Sequence, residues 1–108
     1  MEISQEVTLR VLLVHASEGK EVTIATAGNY QILSSNQVVL NQDKNLLESP
    51  VKGSSEGIAI GNQSFSDKKL IIRPDTGSPI SVNHILYLGE IQVFISEPNK
   101  LCVLNVIT

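Results

Sequence analysis

The sequence predicts an all-β fold: a single small antiparallel β-sandwich or barrel-like domain of about eight or nine short strands. Three observations carry this. Runs of four to eight residues rich in Val, Ile and Thr alternate with polar residues. Turn-forming clusters recur at intervals of about 8–12 residues. Helical periodicity is nearly absent, although residues 43–51, DKNLLESPV, could form one turn that Pro50 would end. The length of 108 residues suits one modest core, and with 42% apolar and 18% charged residues the chain is globular.

The first strand is expected over residues 7–14. Its second face (Thr8, Arg10, Leu12, Val14) turns apolar towards the end, which predicts cover on both sides. Residues 16–20 read as a turn and 21–26 as the second strand. Ala27-Gly28-Asn29 breaks it, because Gly and Asn tolerate positive φ. Residues 30–33 and 37–40 form a hairpin around Ser34-Ser35-Asn36. Residues 41–56 are the least regular, with weak order expected at Gly53-Ser54-Ser55. GIAIG at 57–61 is a short strand, 62–67 a turn and KLIIR at 69–73 a strand, closed by the turn Pro74-Asp75-Thr76-Gly77. Ile80 and Val82 alternate with Ser81 and Asn83. One longer strand is expected over 85–96, interrupted by Gly89 as by a bulge. Ile85, Tyr87, Ile91, Val93 and Ile95 would share one face, with Glu90 and Gln92 on a solvated one. Residues 97–100 turn the chain, and 101–107 pair back onto 91–96.

With four aromatic residues (Tyr30, Phe65, Tyr87, Phe94) and no Trp, the core must be aliphatic and no broad stacking platform is available. The net charge of −3 comes with eight scattered basic residues, so the basic stripe that nucleic acid requires is missing. No apolar run reaches the roughly 20 residues of a membrane helix. Cys102 lies in Leu101-Cys102-Val103-Leu104 and reads as a small buried hydrophobe rather than a catalytic thiol. His15 and His84, 69 positions apart, with that one cysteine, do not supply the ligand spacing of a zinc site. Most acidic residues sit beside turns, and Glu90 alone lies inside a strongly apolar strand. No Gly-x-Ser-x-Gly elbow is present. The glycines of residues 57–61 lack the Lys and Ser/Thr of a phosphate loop. The residues therefore assign no catalytic, cofactor-binding or metal position, and no cofactor.

Residues 80–108, ISVNHILYLGEIQVFISEPNKLCVLNVIT, carry an ordered motif series. It runs Val82-Asn83, Tyr87-Leu88-Gly89, a strand over 91–95, and Val103-Leu104-Asn105. Before it come the Leu-Arg-Val-Leu-Leu opening of residues 9–13, the Gly28-x-Tyr30-x-Ile32 step, and Leu70-Ile71-Ile72-Arg73-Pro74. This series resembles the N-terminal portion of the SpoIID/LytB (stage II sporulation protein D, amidase enhancer) domain family. The family usually carries Arg where Leu88 stands and Gly where His84 stands. The resemblance implies a non-catalytic β-rich piece, residues 1–108, of a longer bacterial cell-envelope protein. The parent would be a peptidoglycan lytic transglycosylase or amidase enhancer with its acid/base Glu beyond Thr108. The partners implied are the remainder of that parent and peptidoglycan glycan strands. The alternative reading is a stand-alone protein–protein interaction module that uses exposed β edges.

Overall fold

A computed structural model describes residues 9–15, 22–75, 77–96 and 100–107. It is a two-sheet antiparallel sandwich of twelve short strands. The strands are β1 (Leu9–His15), β2 (Val22–Thr26), β3 (Tyr30–Ser34), β4 (Val39–Asp43), β5 (Leu46–Ser54) and β6 (Gly57–Ile60). The second half adds β7 (Gln63–Phe65), β8 (Lys69–Pro74), β9 (Ile80–Val82), β10 (Ile85–Tyr87), β11 (Glu90–Ser96) and β12 (Lys100–Ile107). Sheet A has the order β1-β12-β11-β8-β3-β4, and sheet B the order β10-β9-β2-β5-β6-β7. The chain crosses between the sheets repeatedly, so neighbours in space are often distant in sequence.

The core is aliphatic, as the composition requires. Ile32, Leu70, Ile72, Ile91, Val93 and Val103 of sheet A meet Val22, Ile24, Val51, Ile58, Ile60, Ile80 and Val82 of sheet B. Tyr30 is the one aromatic residue that is fully buried there. β-branched side chains dominate because their stiff χ1 angles suit a pleated surface. Each buried Ile or Val contributes about 1.5–3 kcal/mol relative to exposure.

Several expectations are corrected. Residues 43–51 do not turn as a helix; most of them enter β5, which pairs with β2 on one side and β6 on the other. Pro50 is tolerated because the β6 ladder ends at Val51, so its missing N–H is not needed there. The presumed loose tip at Gly53 is ladder-paired with Ile58 and packed so closely that an added Cβ would lie 3.2 Å from Ile95 Cγ1. The turn over 62–67 contains the short edge strand β7. β1 is not covered on both sides: it is an edge strand, with Val11 and Leu12 each 49% exposed. The proposed turn at 16–20 lies outside the described residues, as do residues 97–99 of the turn proposed at 97–100, whose last residue Lys100 opens β12.

The largest correction concerns the expected long strand over 85–96. Gly89 divides it into β10 and β11, which belong to different sheets. Ile85 is consequently exposed, while Ile91 and Val93 are fully buried in the core. Gln92, expected on a solvated face, is only 9% exposed because β11 lies in the interior of sheet A. The pairing of β11 with β12 is as expected, running from Glu90 opposite Val106 to Ser96 opposite Lys100.

The crossover is fixed by one close approach. Gly89 has φ of 92°, and a Cβ there would stand 2.3 Å from the Val106 carbonyl oxygen. Asn105, 3% exposed, donates from Nδ2 to the carbonyls of Leu88 (2.8 Å) and Glu90 (3.1 Å), one on each side of Gly89. A second tight turn joins β9 to β10. Its central residues Asn83 and His84 have φ of 50° and 70°, the pattern of a type I′ hairpin turn. Asn83 also ties this turn to β2, accepting from Thr23 N through Oδ1 and donating its own N–H to Thr23 O, both at 2.9 Å.

Gly89→Ala is expected to cost at least about 2 kcal/mol in urea unfolding, since strain and a backbone clash act together. Gly77 has a similar φ of 80° but open space around it. Gly77→Ala should therefore cost only about 1 kcal/mol, and equal losses for the two variants would remove the clash from the explanation.

Candidate functional site

The chemistry-bearing side chains of sheet A gather at one end of its strands. On β8 the outward positions are Lys69, Ile71 and Arg73, alternating with the core residues Leu70 and Ile72. Arg73 and Glu90 meet one residue beyond the β8–β11 ladder, whose last pair is Ile91 with Ile72. Arg73 Nε donates to Glu90 Oε2, and its Nη2 donates to Gln37 Oε1 at 3.2 Å. The guanidinium is thereby held by two partners.

The registers carry the row onward. Gln31 stands opposite Arg73 on β3 and opposite Gln42 on β4. Gln31 Nε2 donates to Gln42 Oε1 at 3.3 Å. Two depressions flank the turn from Arg73 to Asp75. One, of about 670 Å³, is lined mainly by polar groups, including Gln31, Gln42, Lys44 and Arg73. The other, of about 590 Å³, runs past Leu88, Gly89 and Glu90 to Val106 and Ile107. The loop carrying Asp75 is anchored from beneath, Asp75 N donating to Asn29 O at 2.8 Å.

Tyr30 forms the floor at the sandwich rim. Its phenol pKa is raised from 10.0, first by burial and then by the nearby Asp43 carboxylate, and a hydrogen bond with the Gln63 side chain opposes the rise. Gln63 Oε1 in turn accepts from Asn41 Nδ2 at 2.6 Å, so edge strands β4 and β7 are clasped across the two sheets. The Asp43 carboxylate also accepts the Lys44 backbone N–H at 2.7 Å.

The residues considered for chemistry in the sequence are dispersed. Cys102 is buried on β12, with Sγ 3.5 Å from Ser96 Oγ. His84 is on the exposed β9–β10 turn, with Nε2 3.2 Å from Glu48 Oε1. The side chain of His15 lies outside the described residues. Among the described residues no three His, Cys, Asp or Glu side chains cluster as metal ligands. Glu90, expected on a solvated face, is half-buried and held by Arg73. Sequence reading missed the row Arg73–Gln31–Gln42, because its members are brought together only by strand register. The available signal was the alternation of Lys69, Ile71 and Arg73.

The arrangement can donate and accept hydrogen bonds from fixed planar groups. The guanidinium and the two amides offer unused N–H and C=O positions to hydroxyl, amide or carboxylate groups of a ligand. Comparison of the chain with protein-family models, curated proteins and solved structures finds no match.

Because the folded pKa of Tyr30 exceeds that of the unfolded chain, the unfolded chain loses its proton first as pH rises. The contribution of Tyr30 is therefore complete below the ordinary value of 10.0 and is lost above it. Stability from urea unfolding should fall as the pH is raised through 10.0, and Tyr30→Phe should flatten that fall. An unchanged slope in the variant would show that Tyr30 is not the titrating group.

Proposed function

We propose that this chain is a non-catalytic, β-rich part of a SpoIID/LytB-like bacterial cell-wall protein. Its parent would be a peptidoglycan lytic transglycosylase or amidase enhancer working outside the cytoplasm. The remainder of that parent and peptidoglycan glycan strands are its partners.

One observation carries the reading: several residues of the motif series stand at positions whose geometry is tightly constrained. Gly89 of Tyr-x-Gly cannot accept a side chain, and Asn105 of the final strand holds the carbonyls on either side of it. His84 stands where the family commonly has Gly, and its φ of 70° is the conformation that Gly adopts without strain. Such agreement between a motif and its physical need is stronger support than the letters alone. Leu88, standing where the family has Arg, is exposed beside the second depression, so its replacement leaves the fold intact.

On this reading the row of Gln31, Gln42 and Arg73 contacts sugar hydroxyls and amides weakly. Without an aromatic platform, affinity rests on hydrogen bonds, each contributing about 0.5–1.5 kcal/mol net. The protein should sediment with insoluble denuded glycan strands and release no anhydro-muropeptides. Gln42→Ala, at an exposed position, should lower retention several-fold. Release of anhydro-muropeptides by the protein alone would overturn the non-catalytic assignment, and absence of sedimentation would overturn glycan contact.

A second reading is favoured by exposed apolar residues on edge strands: Val11 and Leu12 of β1, Val39 and Leu40 of β4, and Ile85 and Leu86 of β10. An interaction module would use such edges to add a partner strand. It predicts self-association or swapped dimers, and a concentration-independent monomer in light scattering counts against it.

A further inference from the structure

The four edge strands of the sandwich are unlike one another. β7 and β10 are three residues long and offer little ladder to a newcomer. β4 bulges at Leu40, where its register with β3 shifts, and continues into the polar run Asn41-Gln42-Asp43. Its Asn41 is clasped to Gln63 of β7, which closes that side of the sandwich. Short length, bulges and polar residues are the usual guards of an exposed edge. β1 lacks them over residues 9–12. These pair with β12 in unbroken register, from Leu9 opposite Ile107 to Leu12 opposite Leu104, and the shift comes only after Leu12. Among the described residues no strand pairs with the other side of β1.

The side chains of β1 are those of a strand inside a sheet. Its run Leu-Arg-Val-Leu-Leu-Val-His holds one permanent charge, Arg10. Val11 stands opposite Asn105, on the same face as the core residue Val103. Leu12 stands opposite Leu104, on the outward face. A strand apolar on both faces belongs in the interior of a sheet. Yet both residues are 49% exposed, Val11 although it points into the layer between the sheets. Sheet B is open on the same side: Ile85 of β10, opposite the core residue Val82, is 57% exposed. The two open edges adjoin, because Asn105 beside Val11 holds the carbonyl of Leu88, one residue past β10.

We propose that two copies of this chain associate through β1, antiparallel about a twofold axis, so that their six-stranded A sheets become one continuous sheet. A twofold contact needs a patch that complements itself, and β1 supplies one. With the axis at Val11 or at Leu12, Arg10 falls opposite Leu12 or Val14 of the second copy, so the two guanidinium groups do not meet. The pairs nearest the axis are then apolar on both faces. Val11 of each copy covers that of the other within the inter-sheet layer, and Leu12 packs against apolar neighbours on the outward face. β1 thereby becomes the interior strand that its sequence describes. The inference deepens the interaction-module reading by naming the edge and the partner, and it makes no use of the polar row.

Sedimentation velocity should show monomer passing to dimer as the protein is concentrated, with no larger species, because a twofold contact closes on itself. Leu12→Lys places two ammonium groups close to the axis. It should raise the dissociation constant at least about tenfold and leave the circular dichroism unchanged, since the position is half exposed. Leu40→Lys, on the opposite edge of sheet A, should leave the dimer intact. Hydrogen exchange tests the unaltered chain: amides of β1 that bond no neighbour in the monomer should gain protection with concentration, and those of β4 should not. A dimer that survives Leu12→Lys, or one that Leu40→Lys dissociates, overturns the assignment to β1 and leaves the interaction-module reading standing. A monomer at every concentration, with no gain of protection in β1, overturns both.

Discussion

The architecture depends on the approach of Gly89 to the Val106 carbonyl. The chain leaves sheet B at Tyr87 and must enter the interior of sheet A at Glu90, with only Leu88 and Gly89 to make the passage. So short a link sets the carbonyls of Leu88 and Glu90 on either side of Gly89, and partly buried carbonyls without donors are costly. Asn105 answers both with a single amide, while Gly89 provides the space for β12 to pass close by. β11 is thus set between β8 and β12, and Ile91 and Val93 are delivered to the centre of the core. The same passage brings Glu90 against Arg73, at one end of the polar row.

Much of the fold was legible in the sequence, and the failures have a common cause. Alternating Val and Ile runs with Gly, Pro and Asn breaks gave the class, the hairpin from β3 to β4, and the pairing of β11 with β12 correctly, because those are local. Gly89 was recognised as an interruption. Periodicity alone cannot say whether the chain resumes in the same sheet or in the opposite one, since alternation looks identical in both. That is why Ile85 was grouped with Ile91. The strand around Pro50 was missed for a related reason: Pro50 is acceptable only because β6 stops at Ile60, a fact of pairing rather than of local preference.

The candidate site was less legible. Arg73, Gln31 and Gln42 come from three strands, and nothing in their sequence spacing places them in one row. Only the registers do so. Residues that drew attention by type, His15, His84 and Cys102, carry little positional information because reactive residue types also fill turns and cores. Cys102 followed its apolar neighbours into a buried position, as its context in Leu101-Cys102-Val103-Leu104 indicated.

The carboxylates bear on what such a site can do. Glu90 is held by Arg73, Glu48 lies against His84, and Asp43 accepts a backbone N–H. General acid catalysis by a carboxyl asks for the opposite environment, an apolar pocket that favours the protonated form. Here each of these three acids is engaged by a donor or a cation, beside a guanidinium and two amides that present fixed hydrogen-bonding groups. Sheet A therefore gathers fixed hydrogen-bonding groups at one end of its strands: the registers of β8, β3 and β4 align Arg73, Gln31 and Gln42, and the crossover at Gly89 adds Glu90 beside them.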